Sequence, residues 1–314
     1  MIENAIQKIQ PKLGAQERQI IEMVVDGLAS ENSRRAYQRH LEEFFFWHQA
    51  QNRPELNKAL INKYIKSLRE KKQSSANINQ KLSAIRRLAC EAEDNNLIDA
   101  SIANGIRAVK GVSKKRERIG NWLTREEAQI WINAPDIATL KGLRDRALLS
   151  ILIGCGLRRA EVAILSCSHL QVRENRWVIV DIIGKRDKIR SVPMANWIKT
   201  AVDSWTYAAK IHDGFIFRQV HKTDQVTGDS ITPQAIYKII KTYADKLKKS
   251  ERDSGIAPHD LRRTFAKLAY SGGSMIDQIQ LSLGHDSIQT TENYLGLKQN
   301  LKDAPTDFLG LKIE

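Results

Sequence analysis

Residues 258–294, PHDLRRTFAKLAYSGGSMIDQIQLSLGHDSIQTTENY, put polar chemistry where a packed helical segment ordinarily has little. His259 and Arg262 stand three apart in a segment of helical pattern, so both side chains leave one face. Gly272 and Gly273 end that helix. Ser274 and Asp277 have the spacing of a capping box that opens a second helix, with Met275, Ile276, Ile279 and Leu283 on its apolar side. Gly284 stops the second helix, His285 follows at once, and Ser287 is placed to cap a short third helix carrying Tyr294. Two helix ends and a tyrosine are thereby brought together.

The upstream chain is also mostly helical in pattern. Ile20, Ile21, Val24, Val25 and Leu28 predict a first helix from about Glu17 to Leu28. Ser33 is expected to cap a second, whose apolar face is Tyr37, Leu41, Phe44 and Phe45, with Arg34, Arg35, Arg39 and His40 on the remainder. Leu60, Ile61, Tyr64, Ile65 and Leu68 mark a third helix. A fourth, from about Ser75, sets Ile78, Leu82, Ile85 and Ala89 on one stripe and Lys81, Arg86 and Arg87 elsewhere. Residues 1–112 therefore read as a helical bundle in which Phe44, Phe45, Phe46 and Trp47 belong to the core.

Residues 113–121 follow as a basic linker, within a Lys110–Asn121 stretch of low apolar content that includes KKRER. A second domain is expected over 122–298, opening on Thr124 and Glu127 at capping-box spacing, and 299–314 form a tail. In LRDRALLSILIGCGLRRAEV a buried helix gives way at Gly154 and Gly156 to another helix with Arg158 at its start. An arginine beside so apolar a segment needs a partner or an anionic ligand, and Glu161 is three residues on. RWVIVDIIGKRDKIRSVPM reads as a hairpin with Lys185 in its turn and Lys188 nearby, the one convincing sheet. Helices follow around Ile198–Trp205 and Pro233–Lys246.

Charge bears on partners. Fifty Lys and Arg against 36 Asp and Glu give +14, which favours a polyanionic partner, with a merely solvated basic surface as the plain alternative. Cys90, Cys155 and Cys167 show neither a disulfide framework nor metal-site spacing, which fits a reducing cytoplasm. No run of about 18 apolar residues occurs, so no membrane partner is expected.

H-x-x-R at 259–262, L-G-H at 283–285 and a tyrosine nine residues later resemble the C-terminal signature of the tyrosine recombinases, the site-specific recombinases and phage-type integrases. GLRRAEV resembles the first arginine motif of that family, SENSRRAY the start of its small helical core-binding domain, and LTREEAQ the opening of its catalytic domain. The resemblance implies a mainly α fold with a small β-hairpin, two domains clamping DNA, and room for no sizeable additional arm-binding domain before the helical one. It implies Tyr294 as nucleophile, Arg158, Arg262, His259 and His285 around the scissile phosphate, and Lys185 as donor of a proton to the leaving oxygen. It further implies a 3′-phosphotyrosine intermediate, no ATP, metal or other cofactor, and a homo-tetramer on double-stranded DNA with paired half-sites, with accessory DNA-bending proteins as further partners. The tail is expected to dock on a neighbouring subunit or to fold back on its own domain.

Three other functions compete. A metal-dependent phosphohydrolase would use the two His-Asp pairs at 259–260 and 285–286, yet leaves Arg158, Arg262, Lys185 and Tyr294 without roles. A non-catalytic DNA-binding protein fits the charge alone, and a type IB topoisomerase shares the chemistry but acts as a single subunit. The DNA sequence recognised, and whether the task is integration, chromosome resolution or transposition, are not written in the chain.

Overall fold

The computed structural model describes residues 13–113, 121–184, 188–247 and 255–296. They belong to two compact units, Met1–Glu117 and Arg118–Glu314. Lys185, most of the basic linker and the tail lie outside the described residues.

The first unit is a bundle of α1 (Ala15–Asp26), α2 (Glu31–Ala50), α3 (Lys58–Glu70), α4 (Ser75–Asp94) and α5 (Ala100–Arg107). The apolar stripes meet in one core built on Val24, Leu41, Phe44, Ile61, Tyr64, Ile78, Leu82 and Ile85. Each such side chain, fully buried, contributes roughly 1.5–3 kcal/mol. Phe44 meets Tyr64 edge-on, with ring centroids 5.2 Å apart, and Trp47 closes on Tyr64 at 4.9 Å.

Three expectations for this unit are corrected. α2 begins at Glu31 rather than after Ser33, with Ser30 in the extended N-cap position. Glu31 favours the positive helix end and bonds Arg35 one turn on at 3.0 Å, which draws the helix back by a turn. His40 and Lys81, expected on polar faces, are both buried. The Lys81 ammonium pairs with Glu43 across α2 and α4, whereas among the described residues neither ring nitrogen of His40 has a partner.

The second unit is organised on α7 (Leu140–Gly154), whose Ala147, Leu148, Leu149, Ile151 and Leu152 are fully buried. From Ala147 onward the helix is apolar on nearly every side, and such a segment has to lie in the middle. Around it stand α6 (Arg125–Asn133), α9 (Asn196–Ala208), α10 (Pro233–Lys246) and α11 (Pro258–Ser271), with the short α8 (Arg159–Ala163) leaving its C-terminal end. The Thr124 hydroxyl and Glu127 carboxylate form the expected reciprocal cap on α6. α12 (Ile276–Leu283) and α13 (Ile288–Leu295) complete the unit.

The sheet has one strand more than the hairpin read from sequence. β1 (Leu170–Arg173), β2 (Arg176–Ile183) and β3 (Ile189–Pro193) form an antiparallel meander, and a two-residue ladder joins β4 (Gln219–Val220) to β5 (Val226–Thr227). The β1–β2 turn is Glu174–Asn175, both residues with positive φ. That is the two-residue hairpin geometry usually signalled by Asn-Gly, so a turn without glycine concealed the strand.

The expected capping box at Ser274 is absent. The Ser274 amide instead donates to the Ala269 carbonyl at 3.0 Å, and Gly273 has φ +90°, so Ser274 closes the end of α11. Met275 becomes the N-cap of α12 and is 72% exposed, outside the apolar side assigned to it.

Candidate active site

Gly156 makes the first bend of the site. Its φ of +63° turns the chain out of α7, and its carbonyl accepts a 2.7 Å hydrogen bond from Nη1 of Arg262 on α11. Nη2 of Arg262 donates to the Leu283 carbonyl at the end of α12. The guanidinium is thus fixed between two helix termini by neutral acceptors while the residue is only 2% exposed. Burial first, then the charge of Arg158, lowers its pKa to about 10, which leaves it a cation at neutral pH. It has no carboxylate ion pair among the described residues. Among the described residues two of its five N–H donors are used.

Arg158 is the N-cap residue of α8. Its backbone amide and Nη1 each donate to Glu161 at 2.7 Å, and its side chain remains 37% exposed. Burial alone would raise the Glu161 carboxyl, but hydrogen bonds from Arg190, the Arg158 amide and the Arg158 guanidinium bring it below its ordinary value.

Tyr294 rests on a small apolar cluster with Ala266, Ile279, Leu283 and Leu295, where α11, α12 and α13 meet. Lys267 of α11 ties down the end of α13 through a 2.7 Å bond to the Leu295 carbonyl. The phenol ring stands between two imidazoles, its centroid 5.1 Å from that of His259 and 5.3 Å from that of His285, edge-on to both. Arg263 covers the ring at 4.8 Å and is itself held by Asp260 at 3.0 Å. Burial pushes the phenol up to about 12, against the opposing pull of Arg262 and Arg263.

The Gly284 turn, with φ +61°, delivers His285 at the end of α12. Its Nδ1 lies 3.0 Å from the hydroxyl of the fully buried Thr291, and among the described residues Nε2 has no hydrogen-bond partner. Burial and then the charges of Arg262 and Arg158 lower its pKa to about 4. His259 is lowered by burial and by Arg263, Arg262 and Arg158. Two neutral imidazoles, the guanidinium groups of Arg158, Arg262 and Arg263 and one phenol therefore converge.

Five of the six residues singled out in the sequence are thus brought together, and Lys185 lies outside the described residues. Its described neighbour Gly184 is close by: a Cβ there would be 3.8 Å from Nη1 of Arg158. The other candidate in that hairpin, Lys188, pairs with Asp286 at 2.5 Å. Sequence reasoning missed Arg190, Arg263 and Thr291. Arg263 and Thr291 are readable as helical neighbours of His259 and Tyr294, while Arg190 on β3 meets its partners only through the fold.

Among the described residues no group of three His, Cys, Asp or Glu side chains gathers as metal ligands. Asp260 caps the Ala257 amide at 3.0 Å besides holding Arg263.

Residues 121–300 match the model of the phage integrase family, and residues 22–96 match that of the phage integrase N-terminal SAM-like domain. The chain belongs to the phage integrase family, the tyrosine recombinases. Tyrosine recombinase XerD of Listeria innocua serovar 6a is 30% identical over 203 residues, 62% of this chain and 64% of that protein. The match thus spans somewhat less than two thirds of that relative. Tyrosine recombinase XerC of Chlamydia muridarum is 31% identical over 232 residues, 73% of this chain and 69% of that protein.

Two solved structures share the fold. One is XerH site-specific recombinase bound to difH substrate in a pre-cleavage complex, with a TM-score of 0.66 at 18% identity over 92% of this chain and 83% of that one. The other is the Tn1549 transposon integrase in complex with transposon right end DNA, with a TM-score of 0.66 at 16% identity over 88% of this chain and 94% of that one.

Proposed function

We propose that this chain is a site-specific recombinase that cuts and rejoins DNA strands through a tyrosine ester. The observation that carries the proposal is Arg262, a buried cation without a carboxylate ion pair among the described residues, fixed beside a tyrosine. A site of this kind is made for an anion, since an unpaired buried charge is costly without one. A phosphodiester between Arg158 and Arg262 would receive donors on both nonbridging oxygens, with Nε2 of His285 as a further donor.

The Tyr294 oxygen attacks phosphorus, the bond to the 5′-oxygen breaks, and a 3′-phosphotyrosine forms. Clustered cations favour the phenolate at the moment of attack, and His259, whose ring stands edge-on to the phenol at 5.1 Å, takes the phenol proton in this reading. Lys185 supplies a proton to the departing 5′-oxygen. The ester retains the phosphodiester bond energy, so the 5′-hydroxyl of a second strand can reverse the step without ATP or metal.

The basic balance of the chain supports double-stranded DNA as partner, with residues 1–112 and 122–298 as two DNA-binding domains joined by residues 113–121. The working assembly is a homo-tetramer on paired half-sites, with the tail at 299–314 joining subunits.

Covalent trapping tests the proposal. The wild-type chain is expected to form a denaturant-resistant adduct with DNA, and sequencing the trapped DNA gives the site. Tyr294→Phe is expected to bind that DNA and form no adduct; an adduct in this variant assigns the nucleophile elsewhere. Lys185→Ala is expected to cleave ordinary DNA slowly and to recover on a bridging 5′-phosphorothiolate, whose thiolate leaves unaided. Equal defects on both substrates reject that role.

A further inference from the structure

We propose that Arg190 is a positioning residue that occupies the Glu161 carboxylate so that Arg158 keeps its donors and its charge for the scissile phosphate. The inference rests on the strand-transfer function proposed above.

Arg190 lies on β3, paired with Ile182 of β2. Its Nη1 and Nη2 donate to Oε1 and Oε2 of Glu161 at 3.0 and 2.8 Å, the parallel two-pronged arrangement in which guanidinium and carboxylate bind most strongly. Oε1 also accepts from Nη1 of Arg158, and Oε2 from the Arg158 backbone amide. An ionised carboxylate has about four acceptor sites, and here four donors fill them. Arg158 is left one side-chain bond to Glu161, with four of its five guanidinium N–H donors unused among the described residues.

Without Arg190 the strongest partner available to Glu161 is Arg158 itself. A two-pronged pair between them would consume a second donor and turn the guanidinium away from the phosphate. Charge leads to the same result. Glu161 with two arginines carries a net single positive charge, whereas Glu161 with Arg158 alone carries none.

Arg190 also reaches the other side of the site. Its Nε donates to the Ser282 carbonyl at 2.9 Å, and its side chain lies so close to Gly284 that a Cβ there would be 2.8 Å from Cδ. Gly284 is the turn that delivers His285. At the base of the hairpin, a Cβ on Gly184 would be 3.5 Å from Nη1 of Arg190. One side chain thus joins α8, the end of α12 and the β2–β3 pair. Its own side chain is only 9% exposed, so it acts through Arg158 and His285 rather than on DNA.

The test uses the full chain and a duplex recovered by sequencing DNA trapped on the wild-type protein. Arg190→Gln is expected to bind this duplex within about threefold of wild type and to form the covalent adduct roughly tenfold to a hundredfold more slowly, toward the loss seen when one transition-state donor is removed. Two readouts separate positioning from mere structure. Adding Glu161→Gln to Arg190→Gln removes the carboxylate that recaptures Arg158, so the double variant is expected to cleave faster than Arg190→Gln alone. A neutral methylphosphonate at the scissile position needs less positive charge, so the deficit of Arg190→Gln is expected to shrink on it.

The proposal is overturned if Arg190→Gln cleaves within about threefold of wild type, if the second substitution deepens the loss, or if the deficit is equal on both substrates. Should Arg190→Gln not fold, Arg190→Lys replaces it: a single ammonium cannot hold both oxygens, and the same rescue by Glu161→Gln is expected. If the wild-type chain traps no DNA, the strand-transfer function fails first and Arg190 loses its role with it. Adduct in wild type with no Arg190 effect fails the positioning role alone.

Discussion

The Tyr294 hydroxyl donates a 3.0 Å hydrogen bond to the backbone carbonyl of His259. A carbonyl oxygen only accepts, so this bond serves the phenol and is lost to the phenolate. Together with burial it describes a phenol kept protonated, its pKa at about 12, and hence a proposed nucleophile that rests in its neutral form. The folded value lies above the ordinary value of about 10, so the associated stability is complete below pH 10 and drains away as pH rises towards 12. Wild type is therefore expected to lose about 1 kcal/mol relative to Tyr294→Phe between pH 9 and pH 11 in urea unfolding. Parallel pH dependences would show that the phenol is not held in this way.

His285 gives the opposite pH dependence. With a folded pKa of about 4 against an ordinary 6.5, it contributes stability that is complete above pH 6.5 and is lost as pH falls towards 4. Wild type is expected to lose about 1 kcal/mol relative to His285→Gln between pH 7 and pH 4.5, less than the full shift would give because the half-buried ring is partly screened by solvent. A bound phosphate adds negative charge beside the ring and favours the imidazolium, so the His285 proton resonances are expected to titrate at higher pH with DNA than without it. No shift on binding would separate His285 from the phosphate.

How much of this could be read in the chain differs from residue to residue. His259, Arg262, His285 and Tyr294 lie within one stretch of helix and turn, where spacing alone sets which side chains can meet, and Glu161 is one helical turn from Arg158. Arg190 is 29 residues from Glu161, and strand periodicity says only which face of a ribbon it occupies. Ser274 has the chemistry of a cap, but its amide was already required by the end of α11. His40 reads as polar surface by residue type, while its helical phase places it beside Leu41 and Phe44 of the core.

Gly156 offers a test of how Arg262 is held. A methyl group there would lie 2.5 Å from the Phe265 ring, in a backbone conformation that L-residues resist. Left-handed backbone costs about 1–2 kcal/mol and overpacking about 1–3 kcal/mol. Gly156→Ala is expected to destabilise the protein by about 2–4 kcal/mol and, because the Gly156 carbonyl receives Nη1 of Arg262, to slow adduct formation even where folding is complete. Urea unfolding and single-turnover trapping check the two effects; normal trapping by a folded Gly156→Ala protein would mean that this carbonyl does not set the guanidinium.

His40 permits a prediction for the first unit that is independent of DNA. Its ring is buried near Arg39, Glu43 and Lys81, both nitrogens are without a partner among the described residues, and burial, followed by the charge of Arg39, lowers its pKa against the opposing pull of Glu43. A buried polar group without a partner costs about 1–3 kcal/mol, whereas the neighbouring Lys81 is satisfied by Glu43. Leucine can fill the space without the two orphaned nitrogens, so His40→Leu is expected to be neutral or to stabilise the protein by about 1 kcal/mol. The depressed pKa adds a second signature: wild-type stability from this ring is complete above pH 6.5 and falls as the ring is forced to charge at lower pH, while the leucine variant has no such loss. Thermal unfolding at pH 7 and pH 5 measures both. A clear loss of stability at pH 7 would mean that the imidazole is hydrogen-bonded in solution, and that the polar position serves the bundle rather than straining it.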